Sequence, residues 1–244
     1  MARVRVRQHV NPLANKYAEA IAPPDWDHVY ANPNQPLHLD IGCGWGDFLF
    51  HMATLEPNWN FLGLEIRQPL VDTACQQKKL AGLDNLEYLF CNANNSLTPI
   101  LASLPPRCLA RVSIQFPDPW FKNRHFKRRV VQPEVVEILA RYLQPGGMVF
   151  LQSDVEVVER DMCGRFSAAE QNRFSVVKQN PFNTYPAFEY ISPEEQFNPE
   201  EKYPGLLSTP NPFPVATERE KSTLSRGEPV YRAVFKLISS NTLE

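Results

Sequence analysis

Two short stretches of this chain concentrate residue types able to hold a small charged ligand against a planar acceptor. In Asp40-Ile41-Gly42-Cys43-Gly44-Trp45-Gly46-Asp47, glycines alternate with larger residues behind an apolar run. Backbone lacking a Cβ can turn tightly there and approach a bound molecule closely. Asp40 adds a negative charge beside the turn. In Phe116-Pro117-Asp118-Pro119-Trp120-Phe121-Lys122, a carboxylate lies between two prolines, each of which fixes its own φ and restricts its predecessor. A pre-set carboxylate followed by an aromatic suits a flat, hydrogen-bonding acceptor such as a base. A glycine-rich turn also serves unrelated α/β proteins, and a Pro-Asp-Pro turn can be purely structural, so neither motif decides alone. The next eight residues, Lys122 to Arg129, hold five Lys or Arg. Such a run is ordinarily a solvated face. Beside a binding loop, in a chain of net charge −2, it points to phosphate contacts. Arg3, Arg5 and Arg7 offer a second basic arm.

These motifs need elements to carry them. Strands are expected at residues 37–41, 61–66, 86–90, 111–116 and 148–152, and helices at 47–55, 69–80 and 133–143. Alternation of short apolar runs with amphipathic stretches predicts an α/β, Rossmann-like fold: a mostly parallel central sheet with helices on both faces. Beyond residue 180 the chain changes character, with nine of its 23 prolines between Pro181 and Pro229. A late strand over 229–237 is expected to return as an antiparallel edge. The organisation read from this is a basic arm and entry segment at 1–34, then one domain at 35–244 carrying a Pro-rich insertion at about 180–229.

Composition narrows the function. With 43% hydrophobic and 21% charged residues over 244 positions, wholesale disorder is excluded. No apolar run approaches the ~20 residues of a membrane span, and the Arg-rich start does not resemble a secretory signal, so a cytoplasmic protein without membrane attachment is expected. The five cysteines form no C-x-x-C pair and the five histidines are scattered, which argues against a disulfide framework and against a metal. At net charge −2, any nucleic-acid surface must be a local patch.

Asp40 two residues before a G-x-G-x-G turn is similar to the way S-adenosylmethionine-dependent methyltransferases open their sheet, the carboxylate facing the ammonium or sulfonium side of the donor. Glu65, nineteen residues after Gly46, is then placed to accept from both ribose hydroxyls. Asn92 either meets the adenine edge or caps the next helix. Read together, Asp40 to Gly46 and the run F-P-D-P-W-x-K-x-R-H-x-K-R-R closely resemble the bacterial tRNA (guanine-N7-)-methyltransferases. The resemblance continues through Gln152-Ser153-Asp154, Thr217-Glu218-Arg219-Glu220, Gly227 and the strand at 231–235, covering residues 5–237.

What this resemblance implies is a class I methyltransferase fold and methyl transfer from S-adenosylmethionine to N7 of the guanine at position 46, in the tRNA variable loop. It assigns the donor to Asp40, Gly42, Gly44, Gly46, Glu65, Asn92 and Asp118, with Asp118 also catalytic. Substrate contact falls to Lys122, Asp154, Thr217, Glu218, Arg219 and Glu220, and RNA contact to Arg124, His125, Lys127, Arg128 and Arg129. Partners are then tRNA and not DNA, with monomer and homodimer both open. Two positions depart from the family pattern: Asn92 stands where Asp is common, and Arg219 where an aromatic is. Thr217-x-x-Glu220 is in addition a capping box for a helix ending near Gly227. Rival readings are a methyltransferase for an exocyclic amine and a non-catalytic RNA-binding scaffold.

Overall fold

The computed structural model describes residues 10–176, 188–191 and 210–237. Arg3, Arg5 and Arg7, and most of the Pro-rich insertion, lie outside the described residues. Seven strands form one sheet: β1 (Leu37–Ile41), β2 (Asn60–Glu65), β3 (Leu86–Phe90), β4 (Leu109–Gln115), β5 (Met148–Ser153), β6 (Phe188–Ile191) and β7 (Tyr231–Leu237). Their order across the sheet is β3-β2-β1-β4-β5-β7-β6. β1 to β5 pair in parallel, whereas β7 runs antiparallel to both β5 and β6. The mostly parallel sheet and the antiparallel late strand are as expected, but β7 is not the edge: β6, which the sequence reading did not place, pairs beyond it and takes that position.

Side chains alternate between the two faces of each strand, and the helices sort accordingly. Leu37, Leu39, Ile41, Val112, Ile114, Val149 and Leu151 share one core with residues from α4 (Ala93–Ser103), α5 (Pro133–Tyr142) and α6 (Glu156–Val176). On the other face Phe61, Leu86, Tyr88, Phe150 and Val234 pack with α2 (Asp47–Leu55) and α3 (Gln68–Ala81). Pro in the first turn of α3 and α5, and Gly82 at φ +66 closing α3, set those bounds as read from the sequence.

The helices α4 and α6 both escaped the sequence reading. α4 contains Pro99, which forgoes a helical hydrogen bond; burial of Leu97, Ile100 and Leu101 holds the helix nonetheless. The entry segment is folded where it is described. Among its described residues Tyr17, Trp26 and Tyr30 are buried. Trp26, which opens the one-turn helix α1 (Trp26–Val29), donates to Ser103 Oγ at 2.8 Å, and Tyr30 donates to the Phe61 carbonyl at 3.1 Å. Residues 10–34 thus pack onto the sheet domain rather than extending from it.

Candidate active site

The strand order reverses between β1 and β4, and in open α/β sheets the crevice at such a point collects ligands beyond the carboxyl ends of the strands. Here the glycine turn after β1 and the proline loop after β4 border one cleft. Its narrow lobe, about 750 Å³, is lined by Gly42, Glu65, Asn92 and Asp118 among others. The wide lobe, about 1600 Å³, takes in Asp40, Asp118, Asp154, Thr217, Glu218 and Arg219. Gly42, Arg67, Gln115, Phe116, Pro117 and Asp118 border both.

Gly42, Gly44 and Gly46 have φ of +85°, +59° and +79°, values L side chains rarely adopt. A Cβ on Gly42 or Gly44 would meet nothing within 4 Å, whereas one on Gly46 would lie 2.7 Å from the Tyr88 ring. The first two glycines therefore leave ligand space, and the third leaves packing space. Asp40 is buried and accepts from Ser113 Oγ at 2.6 Å and from Gln115 Nε2 at 3.3 Å. Burial raises its pKa to about 6, aided by the Glu65 charge and opposed by those two hydrogen bonds. Because Ser113 donates to Asp40, it accepts from His38 Nε2 at 3.0 Å, and burial lowers the His38 pKa to about 3.

Glu65 is likewise buried, and all four acceptor positions of its carboxylate are filled. The Gly44 and Arg67 backbone N–H groups take two, at 3.0 and 2.9 Å. The Arg67 guanidinium takes the others through Nε at 2.8 Å and Nη2 at 3.0 Å. Arg67 also feels the Asp118 charge. The sequence reading assigned it nothing; an Arg two residues beyond a ribose-type acid was the available signal. Asn92 takes the capping role and also lines the narrow lobe. Its Oδ1 caps α4 by accepting from Asn94 N–H at 3.2 Å, and its Nδ2 donates to the Pro12 carbonyl at 3.1 Å. Val10 and Pro12 wall the same lobe.

The proline loop is strained at both ends: Phe116 at φ 48° and Trp120 at φ 42° are left-handed without being glycine. Arg129 Nε donates to the Pro119 carbonyl at 2.9 Å and braces the loop. The basic run divides. Lys122, Arg124 and Lys127 are exposed around a 3₁₀ turn, Asn123–Arg128. His125 sits edge-on to Trp120, its pKa lowered by partial desolvation and by the neighbouring cations. Arg128 stacks over Trp120 at 4.9 Å. Arg129, expected at the RNA surface, is instead 5% exposed and paired with Asp161 at 3.0 Å; its place is structural.

Thr217 caps α7 (Glu218–Ser225), accepting from Glu220 N–H at 3.1 Å, which is the threonine half of the expected capping box; the Glu220 carboxylate is engaged elsewhere. Thr217, Glu218 and Arg219 face the wide lobe, and Arg219 Nε donates to Asp154 Oδ2 at 2.8 Å. Glu220 turns inward, which corrects its expected substrate contact. It is 3% exposed and bound by Arg232 Nη2 at 2.7 Å, Asn211 at 2.9 Å and Gln152 at 3.3 Å. Phe121, 65% exposed, lines the wide lobe. Among the described residues no group of three His, Cys, Asp or Glu side chains is arranged to hold a metal, and no helix is long and apolar enough to cross a membrane.

A family profile described as "Putative methyltransferase" matches residues 34–196. The chain is 56% identical over 97% of both lengths to the "tRNA (guanine-N(7)-)-methyltransferase" of Trichormus variabilis. It is 52% identical to the protein of the same description from Microcystis aeruginosa, covering 97% of this chain and 100% of that one. Among solved structures, the aminoglycoside resistance methyltransferase NpmB1 superposes with a TM-score of 0.44 at 14% identity, covering 87% of this chain and 90% of that one.

Proposed function

Because the chain belongs to the tRNA (guanine-N(7)-)-methyltransferase family, we infer that it transfers a methyl group from S-adenosylmethionine to N7 of guanine in tRNA. The observation that carries this reading to its residues is the meeting of the glycine turn and the proline loop on one cleft. The donor fits what is there. Space beside Gly42 and Gly44 admits a ligand where a Cβ would intrude, and buried Asp40 offers a carboxylate to an ammonium. When bound, the donor supplies an electrophilic methyl on a sulfonium. The ribose hydroxyls would take the two Glu65 positions that the Arg67 guanidinium holds. Asn92, its amide tied to the entry segment, acts on the adenine end mainly by fixing the wall there.

Guanine N7 carries a lone pair and no proton, so no general base is needed. The N7–C bond forms as the C–S bond breaks, the electron pair leaves with sulfur, and the positive charge passes to the purine. What the protein must do is align and exclude water. Asp118, held by its two prolines, accepts hydrogen bonds from the guanine N1–H and amino group and balances the growing charge. Asp154, with Arg219 and Thr217 beside it, faces the same lobe, and exposed Phe121 offers a stacking surface. Lys122, Arg124 and Lys127, with His125 and Arg128 behind them, meet the RNA backbone. The target is taken to be position 46 in the variable loop, and the setting the cytoplasm. Mass spectrometry of unmodified tRNA incubated with methyl-labelled donor tests donor, acceptor and atom together; label on an exocyclic amine would overturn the reading.

Two results follow from the site. Donor affinity depends on ionised Asp40, whose pKa burial raises to about 6. Protonation below that pH removes the charge that meets the ammonium, so affinity measured by calorimetry is expected to fall about tenfold per pH unit below 6 and to be flat above about 7. Asp40→Asn is expected to bind weakly with no such slope. Changing Lys122, Arg124 and Lys127 together to Ala is expected to weaken tRNA binding and to reduce the slope of log K against log salt by roughly 2–3. An unchanged slope would remove these three from the RNA interface.

A further inference from the structure

A file of buried polar side chains crosses the sheet between the donor acid and the acceptor-side helix. Gln115 on β4 lies in register with Gln152 on β5, which lies in register with Arg232 on β7. Arg232 Nε donates to Gln152 Oε1 at 3.2 Å, Gln152 Nε2 to Gln115 Oε1 at 2.7 Å, and Gln115 Nε2 to Asp40 Oδ1 at 3.3 Å. Gln152 is 0% exposed, and Gln115 and Arg232 are each 8% exposed. An amide side chain is normally free to flip, but a guanidinium can only donate. Arg232 therefore fixes which end of Gln152 faces it, Gln152 fixes Gln115, and Gln115 presents its NH₂ to Asp40. The reverse sense would set a carbonyl oxygen against the carboxylate.

We propose that Gln115 and Gln152 are positioning residues that carry an orientation set by Arg232 across the sheet, so that an amide N–H always meets Asp40 and favours its ionised, donor-ready form. The proposal rests on the donor site described above and extends it. Because the Arg232 charge is balanced by Glu220, which also accepts from Gln152 Nε2 at 3.3 Å, what crosses the sheet is the fixed sense of the amides, each polarising the next out of water. The same Arg232 also binds Glu220 beneath α7. Donor affinity is thereby tied to correct seating of the helix that lines the acceptor lobe. The other groups around Asp40 leave this role open. Ser113 adds one hydrogen bond and is itself met by neutral His38. Glu65 opposes ionisation. Cys43 and Tyr88 have their pKa values raised by burial and stay neutral.

The test is the pH dependence of S-adenosylhomocysteine binding, followed by calorimetry from pH 5 to 8 with the full-length protein. Gln152→Met and Gln115→Met are each expected to move the midpoint up by about 0.5–1 pH unit, and the double variant by no more than either alone. Gln152→Asn, too short to reach both partners, stands in if the Met variant does not fold. A midpoint that stays at the wild-type value overturns the relay, as do single shifts that add in the double variant. Absence of any binding by the wild-type protein would defeat the donor site itself, an outcome distinct from an unmoved midpoint.

Discussion

Asp118→Asn is expected to lower the single-turnover rate of methyl transfer by about 10²–10³-fold at saturating tRNA, while S-adenosylhomocysteine affinity changes by no more than about threefold. The asymmetry follows from where Asp118 sits and what it lacks after substitution. Asparagine has the same shape and remains clamped between Pro117 and Pro119, so the strained ends at Phe116 and Trp120 stay in place. What is lost is a full negative charge beside a purine becoming cationic. An amide NH₂ also appears where the guanine edge itself donates. A single-turnover rate equal to wild type would show that Asp118 plays no part in the transfer step.

The second large effect is on stability. Glu220→Ala leaves Arg232 buried without its carboxylate, and breaking a buried pair from one side costs about 3–5 kcal/mol. For a chain of this size that corresponds to a fall in Tm of roughly 10 °C, measurable by differential scanning calorimetry. Asn211 and Gln152 lose an acceptor in the same stroke. Removing both charges, as Glu220→Leu with Arg232→Met, is expected to be milder than Glu220→Ala alone, because no unpaired charge remains inside. If Glu220→Ala melts with the wild-type protein, the pair is not holding α7 to the sheet.

Legibility in the sequence followed locality. The bounds of α2 and β3 coincide with the expected ones because a glycine turn or an apolar run marks them within a few residues. Asp40, Glu65 and Asp118 were placed on a common cleft because each ends a strand and the α/β pattern brings strand ends together. What escaped depends on contacts between distant segments. Nothing near Arg129 in sequence announces Asp161, and nothing near Glu220 announces Arg232. Both side chains read as surface groups and are interior ones. Asn92 gives its amide to the entry segment, eighty residues earlier, a contact that nothing near it in sequence announces. Gln115 and Gln152 carried a weak signal, as uncharged polar residues at the ends of apolar strands. Their meaning appears only when parallel and antiparallel registers set them side by side.

The wall that Val10 and Pro12 lend to the narrow lobe has a corollary for shortened forms of the enzyme. A polypeptide trimmed to the matched region, 34–196, keeps Asp40, Glu65, Asn92 and Asp118. It nonetheless discards one side of the narrow lobe, together with the carbonyl that anchors the Asn92 amide. The same cut strips β7 and exposes the flank of β5, an invitation to intermolecular pairing. The folded unit is therefore larger than its signature: described segments on either side of it, 10–34 and 210–237, add walls to a cleft whose glycine turn and proline loop come from the middle.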